Sequence, residues 1–106
     1  MTKLELVANR VYKRLPVKFD PTIIIVIISI ITAVVKLYRA CTELTPEELA
    51  KKYPILARLK IWWQTRRALK RNKLNMDDAD IITDAIYEEF KLLSREDVNI
   101  ILSEVN

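Results

Sequence analysis

The chain has 106 residues and a mass of 12.4 kDa, enough for one hydrophobic core and too short for two. It is 51% hydrophobic and 30% charged, a balance that excludes a disordered tail. It has no His, no Gly and a single Cys, Cys41, so the commonest general base is missing, the glycine backbone of P-loops and dinucleotide fingerprints is missing, and neither an intrachain disulfide nor a cysteine metal cluster can form.

Residues 3–15 place Leu4, Val7, Ala8, Val11 and Leu15 on one helical face before Pro16, which predicts a short amphipathic helix. Asp20 and Pro21 then supply an N-cap and a first helical position for residues 20–41. Their core is TIIIVIISIITAVV, residues 22–35, without a charge. Most of these side chains are β-branched, which locally favours a strand. The length of the uninterrupted run and its caps favour a helix.

Thr45-Pro46-Glu47-Glu48 is a capping box with proline at the first position, so a short helix is expected over 45–53. Residues 54–73 read as a longer one. Ile55, Leu56, Leu59, Trp62, Trp63 and Leu69 fall in one apolar stripe, and its first turns are expected to be buried with both aromatics in the core. Asp77 or Asp78 is the expected cap of a helix over 77–93, and Ser94 of the last helix, which carries Val98, Ile101, Leu102 and Val105 at helical spacing. These last two, joined by almost no loop, are expected to form a corner or hairpin. The fold class is therefore all-α: a small multi-helix protein, one helical domain over 1–106, with a central all-apolar helix and short amphipathic helices around it.

Charge is unevenly spread. Residues 1–76 hold 16 Lys/Arg against 5 Asp/Glu, and residues 77–106 hold 2 against 9. Such asymmetry calls for an electrostatic partner, either the other half of the same chain or a neighbour. The basic candidates are Lys60, Arg66, Arg67, Lys70, Arg71 and Lys73. The acidic ones are Asp80, Asp84, Glu88 and Glu96.

The apolar run spans about 21 Å as a helix, against ~30 Å of hydrocarbon. Four cations flank it on each side (Arg10, Lys13, Arg14, Lys18; Lys36, Arg39, Lys51, Lys52), so no positive-inside bias orients it. It begins too late for a signal peptide. Burial by protein is the favoured expectation. Because the remaining segments look too few to surround the helix, Ile23, Ile24, Ile27, Ile28, Ile31, Val34 and Val35 are expected to meet partner subunits.

No chemical constellation assembles. Asp77, Asp78, Asp80 and Asp84 lack the glycine and terminal glutamate of a calcium loop. Glu88 and Glu89 are adjacent and diverge. Cys41 has no His to activate it and is expected to be a buried or interfacial thiol. The sequence thus predicts a non-enzymatic structural or adaptor subunit of a larger assembly, such as a phage virion, inside a cell or particle, without cofactor or metal and with self-association open. The alternatives are a single-pass membrane protein spanning 21–39 and a polyanion or nucleic-acid binder acting through the basic helix 58–73.

Overall fold

The computed structural model describes residues 1–105. Among them are six α-helices and no strand: α1 (Lys3–Arg14), α2 (Ile23–Cys41), α3 (Pro46–Lys52), α4 (Pro54–Arg71), α5 (Ala79–Phe90) and α6 (Arg95–Val105), with a 3₁₀ turn at Met76–Asp78 before α5. The Cα radius of gyration is 12.7 Å, the value of a chain of this length whose helices all fold onto one core. No helix stands away from it.

Helix α2 is central because it carries the widest apolar surface. It packs against α1, α4 and α6. Ile23, Val26, Ile27, Ile30, Ile31, Val34, Val35 and Tyr38 are buried there, with Leu4, Val7, Ala8 and Val11 of α1 and Ile61, Ala68 and Leu69 of α4 in the same core. Each fully buried aliphatic contributes about 1.5–3 kcal/mol. The chain thus covers one side of its apolar helix, burying 44% of the apolar stretch, so the expected shortfall of cover is reduced and not removed. Of the seven side chains expected to meet partner subunits, Ile23, Ile27, Ile31, Val34 and Val35 are buried within the chain, and Ile24 and Ile28 are half-buried against the same core. What α2 leaves open is a strip through Ile25, Ser29 and Lys36, flanked by half-buried Ile24, Ile28, Thr32 and Ala33, and its last turn from Arg39 to Cys41.

The helix entrances follow from the cap residues. Thr2 and Glu5 form a capping box on α1, and the Glu104 carboxylate of α6 accepts the Lys3 and Leu4 N–H groups at 2.7 and 3.0 Å. The end of the chain thus satisfies donors that would otherwise be orphaned at its beginning. Thr45 and Glu48 close the predicted box on α3, and Ser94 and Asp97 reciprocate at α6 (2.9 and 3.1 Å). Asp20 accepts the Thr22 N–H, but the first turn there is a tight i→i+3 ladder and α2 proper starts at Ile23. At α5 the expected cap shifts: Asn75, not Asp77 or Asp78, accepts the Asp77 N–H, and the acids begin a 3₁₀ turn instead. The link after α5 turns a corner. The principal partners of α5 are α1 and α4, whereas α6 packs on α1 and α2.

The capping carboxylates carry a pH dependence. Hydrogen bonds from Thr2, Thr22, Thr45 and Ser94 hold Glu5, Asp20, Glu48 and Asp97 below the ordinary values of 4.5 (Glu) and 3.8 (Asp). Unfolding raises these pKa values, so the unfolded chain binds protons first on acidification. Their stabilisation is complete above the ordinary values and is lost as pH falls through the lowered native ones. Thermal unfolding at pH 7 and pH 3 should therefore show a lower midpoint in acid, and Asp97→Asn should shrink the difference.

The end of α4 shows what a glycine-free chain does at a C-cap. Leu74 N–H bonds to Leu69 C=O and Lys73 N–H to Lys70 C=O, a six-residue closure that needs a left-handed residue. Lys73 supplies it, with φ of 56°. A side chain with a Cβ costs about 1 kcal/mol there. Lys73→Gly is expected to raise stability by about 0.5–1 kcal/mol, measurable as a shift in the urea midpoint at unchanged slope.

Candidate docking surface

Helix α4 uses its two faces in the opposite sense to the sequence reading. Its buried residues are Ala57, Ile61, Thr65, Ala68 and Leu69, which meet α2 and α5 on one side of the cylinder. The large apolar side chains lie on the other side. Ile55 is 82% exposed and Trp63 57%, Leu56 and Leu59 are exposed, and Trp62 is half-buried at the edge. The expected burial of the stripe Ile55, Leu56, Leu59, Trp62, Trp63 and Leu69 is thus overturned, except for Leu69 and part of Trp62. The reason is steric. The distance between packed helices is set by the side chains at the contact, and the row Ala57, Ile61, Thr65, Ala68 lets α4 approach α2 and α5 where a row of Leu and Trp would hold it off.

The exposed row does not end in water-seeking neutral residues. At ~100° per residue, Leu59, Trp63, Arg66 and Lys70 follow one another along the outward line, with Arg67 beside them. Arg66 lies 4.7 Å above the Trp62 ring, and the two indoles meet edge to face at 5.9 Å. The cation–π contact fixes Trp62 and leaves the guanidinium edge to bond outward. Between this row and α5 runs a groove of about 400 Å³ lined by Ile55, Arg58, Leu59, Trp62 and Asp80. The surface therefore combines an apolar patch, a seat for one inserted side chain and a cationic end.

The chain neutralises much of its charge asymmetry internally. Of six ion pairs among the described residues, four join the basic first part to the acidic last part: Lys3–Asp97, Arg10–Glu89, Arg14–Glu89 and Arg58–Asp84. Glu89 is buried and clamps α1 to α5 through two arginines. The expected acidic face is divided by this pairing. Asp84 pairs with Arg58 and Glu88 with Lys91, while Asp80 lines the groove and Glu96 is exposed on α6.

None of Lys60, Arg66, Arg67, Lys70, Arg71 and Lys73 makes an ion pair among the described residues. They are not one patch, however. Arg66, Arg67 and Lys70 lie on or beside the outward row, Lys60 is half-buried, Arg71 turns toward α2, and Lys73 sits in the terminal turn.

Cys41 is an exposed free thiol at the end of α2, which removes the buried arm of the expectation and leaves the interfacial one. Tyr38 packs edge-on against Phe90 at 5.6 Å and donates its hydroxyl to Leu44 C=O. Burial pushes its pKa up, so it stays a donor. No cluster of three His, Cys, Asp or Glu that could hold a metal ion occurs among the described residues.

The chain matches no family model, and neither curated proteins nor solved structures give a significant match. Function therefore has to be argued from the surface itself.

Proposed function

We propose that the chain is a non-enzymatic adaptor or structural subunit that joins a larger protein assembly through the outward face of α4. The observation that carries this reading is the exposed row of Ile55, Leu56, Leu59 and Trp63 running into unpaired Arg66, Arg67 and Lys70. Scattered exposed apolar residues are ordinary, but a contiguous patch on one helix marks an interaction site. A central apolar and aromatic cluster with arginine at its edge has the composition of interface hot spots.

The partner chemistry follows from the same geometry. An amphipathic segment would cover the row with aliphatic side chains, seat one of them in the groove beside Asp80, and set carboxylates against Arg66, Arg67 and Lys70. The carboxylates would steer the encounter and fix its direction along α4. A multi-protein particle such as a virion is the setting this reading suits. The unpaired cations support a second reading, polyanion binding, but phosphates would leave Ile55, Leu56 and Leu59 without a role.

The test is a chain carrying a photoreactive residue in place of Leu59, irradiated in its native setting. The expected adduct is a single protein, attached at an acidic amphipathic segment. Adding Arg66→Gln, Arg67→Gln and Lys70→Gln should reduce its yield at least tenfold. Absence of a protein adduct, together with salt-sensitive retention of the parent on single-stranded nucleic acid, would replace this reading by the polyanion one.

A further inference from the structure

The strip of α2 that the other helices leave open forms the floor of a furrow, distinct from the α4 docking surface. Two open hollows of about 500 and 360 Å³ share Ile25, Val26 and Asn72 as lining, so they lie end to end along the same face of α2. The furrow follows α2 from Ile23 to Lys36, about 20 Å at 1.5 Å per residue. The end of α4 and the turn after it form the opposite wall through Arg71, Asn72 and Leu74.

The furrow is mostly apolar, with Ser29, Thr32 and Asn72 among its lining, and charged at its ends, with opposite signs. Ile25, 71% exposed, stands at its middle, and Phe19 and Leu74 line the far part. The hydroxyls on its floor are already spent on the helix: Ser29 Oγ donates to Val26 C=O and Thr32 Oγ1 to Ile28 C=O, each at 2.8 Å. At one end Lys36 and Arg71 line the same hollow, both exposed and neither in an ion pair among the described residues. At the other end lies the Asp20 carboxylate, held by the N–H and hydroxyl of Thr22.

We infer that this furrow binds a free single-chain anionic amphiphile, with its headgroup between Lys36 and Arg71 and its alkyl chain laid over Ile25 and Val26 toward Phe19 and Leu74. A long-chain carboxylate or an alkyl phosphate has this chemistry. The two cations attract the head, the carboxylate at the opposite end repels it, and the ligand can therefore lie in one direction only. The chain removes Ile25 from water without asking for hydrogen bonds that the floor cannot give. A neutral or cationic amphiphile has no such fit, and an inorganic anion gains nothing from the length of the furrow.

The test is calorimetric titration of the full chain with dodecyl phosphate below its micellar concentration, with dodecanol and inorganic phosphate as parallel probes. The expected result is saturable one-to-one binding of dodecyl phosphate, at least tenfold tighter than either parallel probe. Lys36→Gln with Arg71→Gln should weaken it at least tenfold without altering thermal unfolding, since both side chains are exposed. Ile25→Asp should abolish it. Leu59→Ser with Trp63→Ser should leave it unchanged, which separates the furrow from the docking surface. Three results would overturn the inference: no saturable binding, affinity insensitive to the Lys36 and Arg71 changes, or loss of binding in the Leu59 and Trp63 variant. Sedimentation with phosphatidylglycerol vesicles without binding of the monomeric amphiphile would also overturn it, by assigning the cations to a membrane surface.

Discussion

Ile27→Asp is expected to unfold the chain, while the same change two residues earlier, Ile25→Asp, leaves it folded. Both positions lie in the run that is long and apolar enough, by length and composition, to cross a membrane. Ile27 is 0% exposed, enclosed by the core that α2 shares with its neighbours, whereas Ile25 is 71% exposed. Aspartate at 27 forfeits about 1.5–3 kcal/mol of aliphatic burial and adds the several kcal/mol of an unpaired buried carboxylate. That sum rivals the 5–15 kcal/mol stability of an ordinary domain. Aspartate at 25 meets solvent and should stay within about 0.5 kcal/mol of the parent. Circular dichroism melts of the two variants make the comparison. In a lipid-spanning helix both positions lie at nearly equal depth, and both would carry the similar penalty of a charge in hydrocarbon. Equal damage from both substitutions would therefore mean that α2 acts outside this packed fold, and the single-pass alternative would take precedence.

The membrane question shows which physical quantity the sequence carried and which it did not. The apolar run measures about 21 Å, but the 19-residue helix built on it is about 28 Å long, so length does not decide between lipid and protein. Enclosure bears on it more directly, and the 44% of the apolar stretch that is buried depends on how the other helices are arranged. Periodicity placed those helices well, because caps such as Thr45 with Glu48 and Ser94 with Asp97 are local devices whose chemistry is complete within four residues. It could not show Glu104 capping α1 from the far end of the chain, or Glu89 tying α1 to α5. Those contacts exist only once the helices have met. The docking surface was half legible. Its cations were visible in the sequence, and so was a row of small residues, Ala57, Thr65 and Ala68, on the face opposite Leu59 and Trp63. Ranking faces by the size of their apolar residues chose the wrong one, since close packing can reward small side chains over large ones.

The same inversion makes the second large prediction. Ala68 is 1% exposed at the inner face of α4, so Ala68→Leu is expected to destabilise the fold by about 1–3 kcal/mol, the ordinary penalty for forcing methyl groups into a filled contact. Removing far more apolar volume from the outer face should cost less: Leu59→Ser with Trp63→Ser is expected to lower stability by about 1 kcal/mol or less, because both side chains are about half solvated already. The order reverses when binding is measured. The outer double variant should lose assembly by about 30- to 800-fold, since truncating a central aromatic and its aliphatic neighbour in an interface costs about 2–4 kcal/mol. Ala68→Leu should weaken assembly only as far as it depletes the folded fraction. A protein that tolerates the loss of two large apolar residues in isolation, and cannot assemble without them, is keeping those residues in water for a partner. Were the outer variant as unstable as the inner one, Leu59 and Trp63 would belong to the core of this chain, and the docking surface would have to be sought elsewhere.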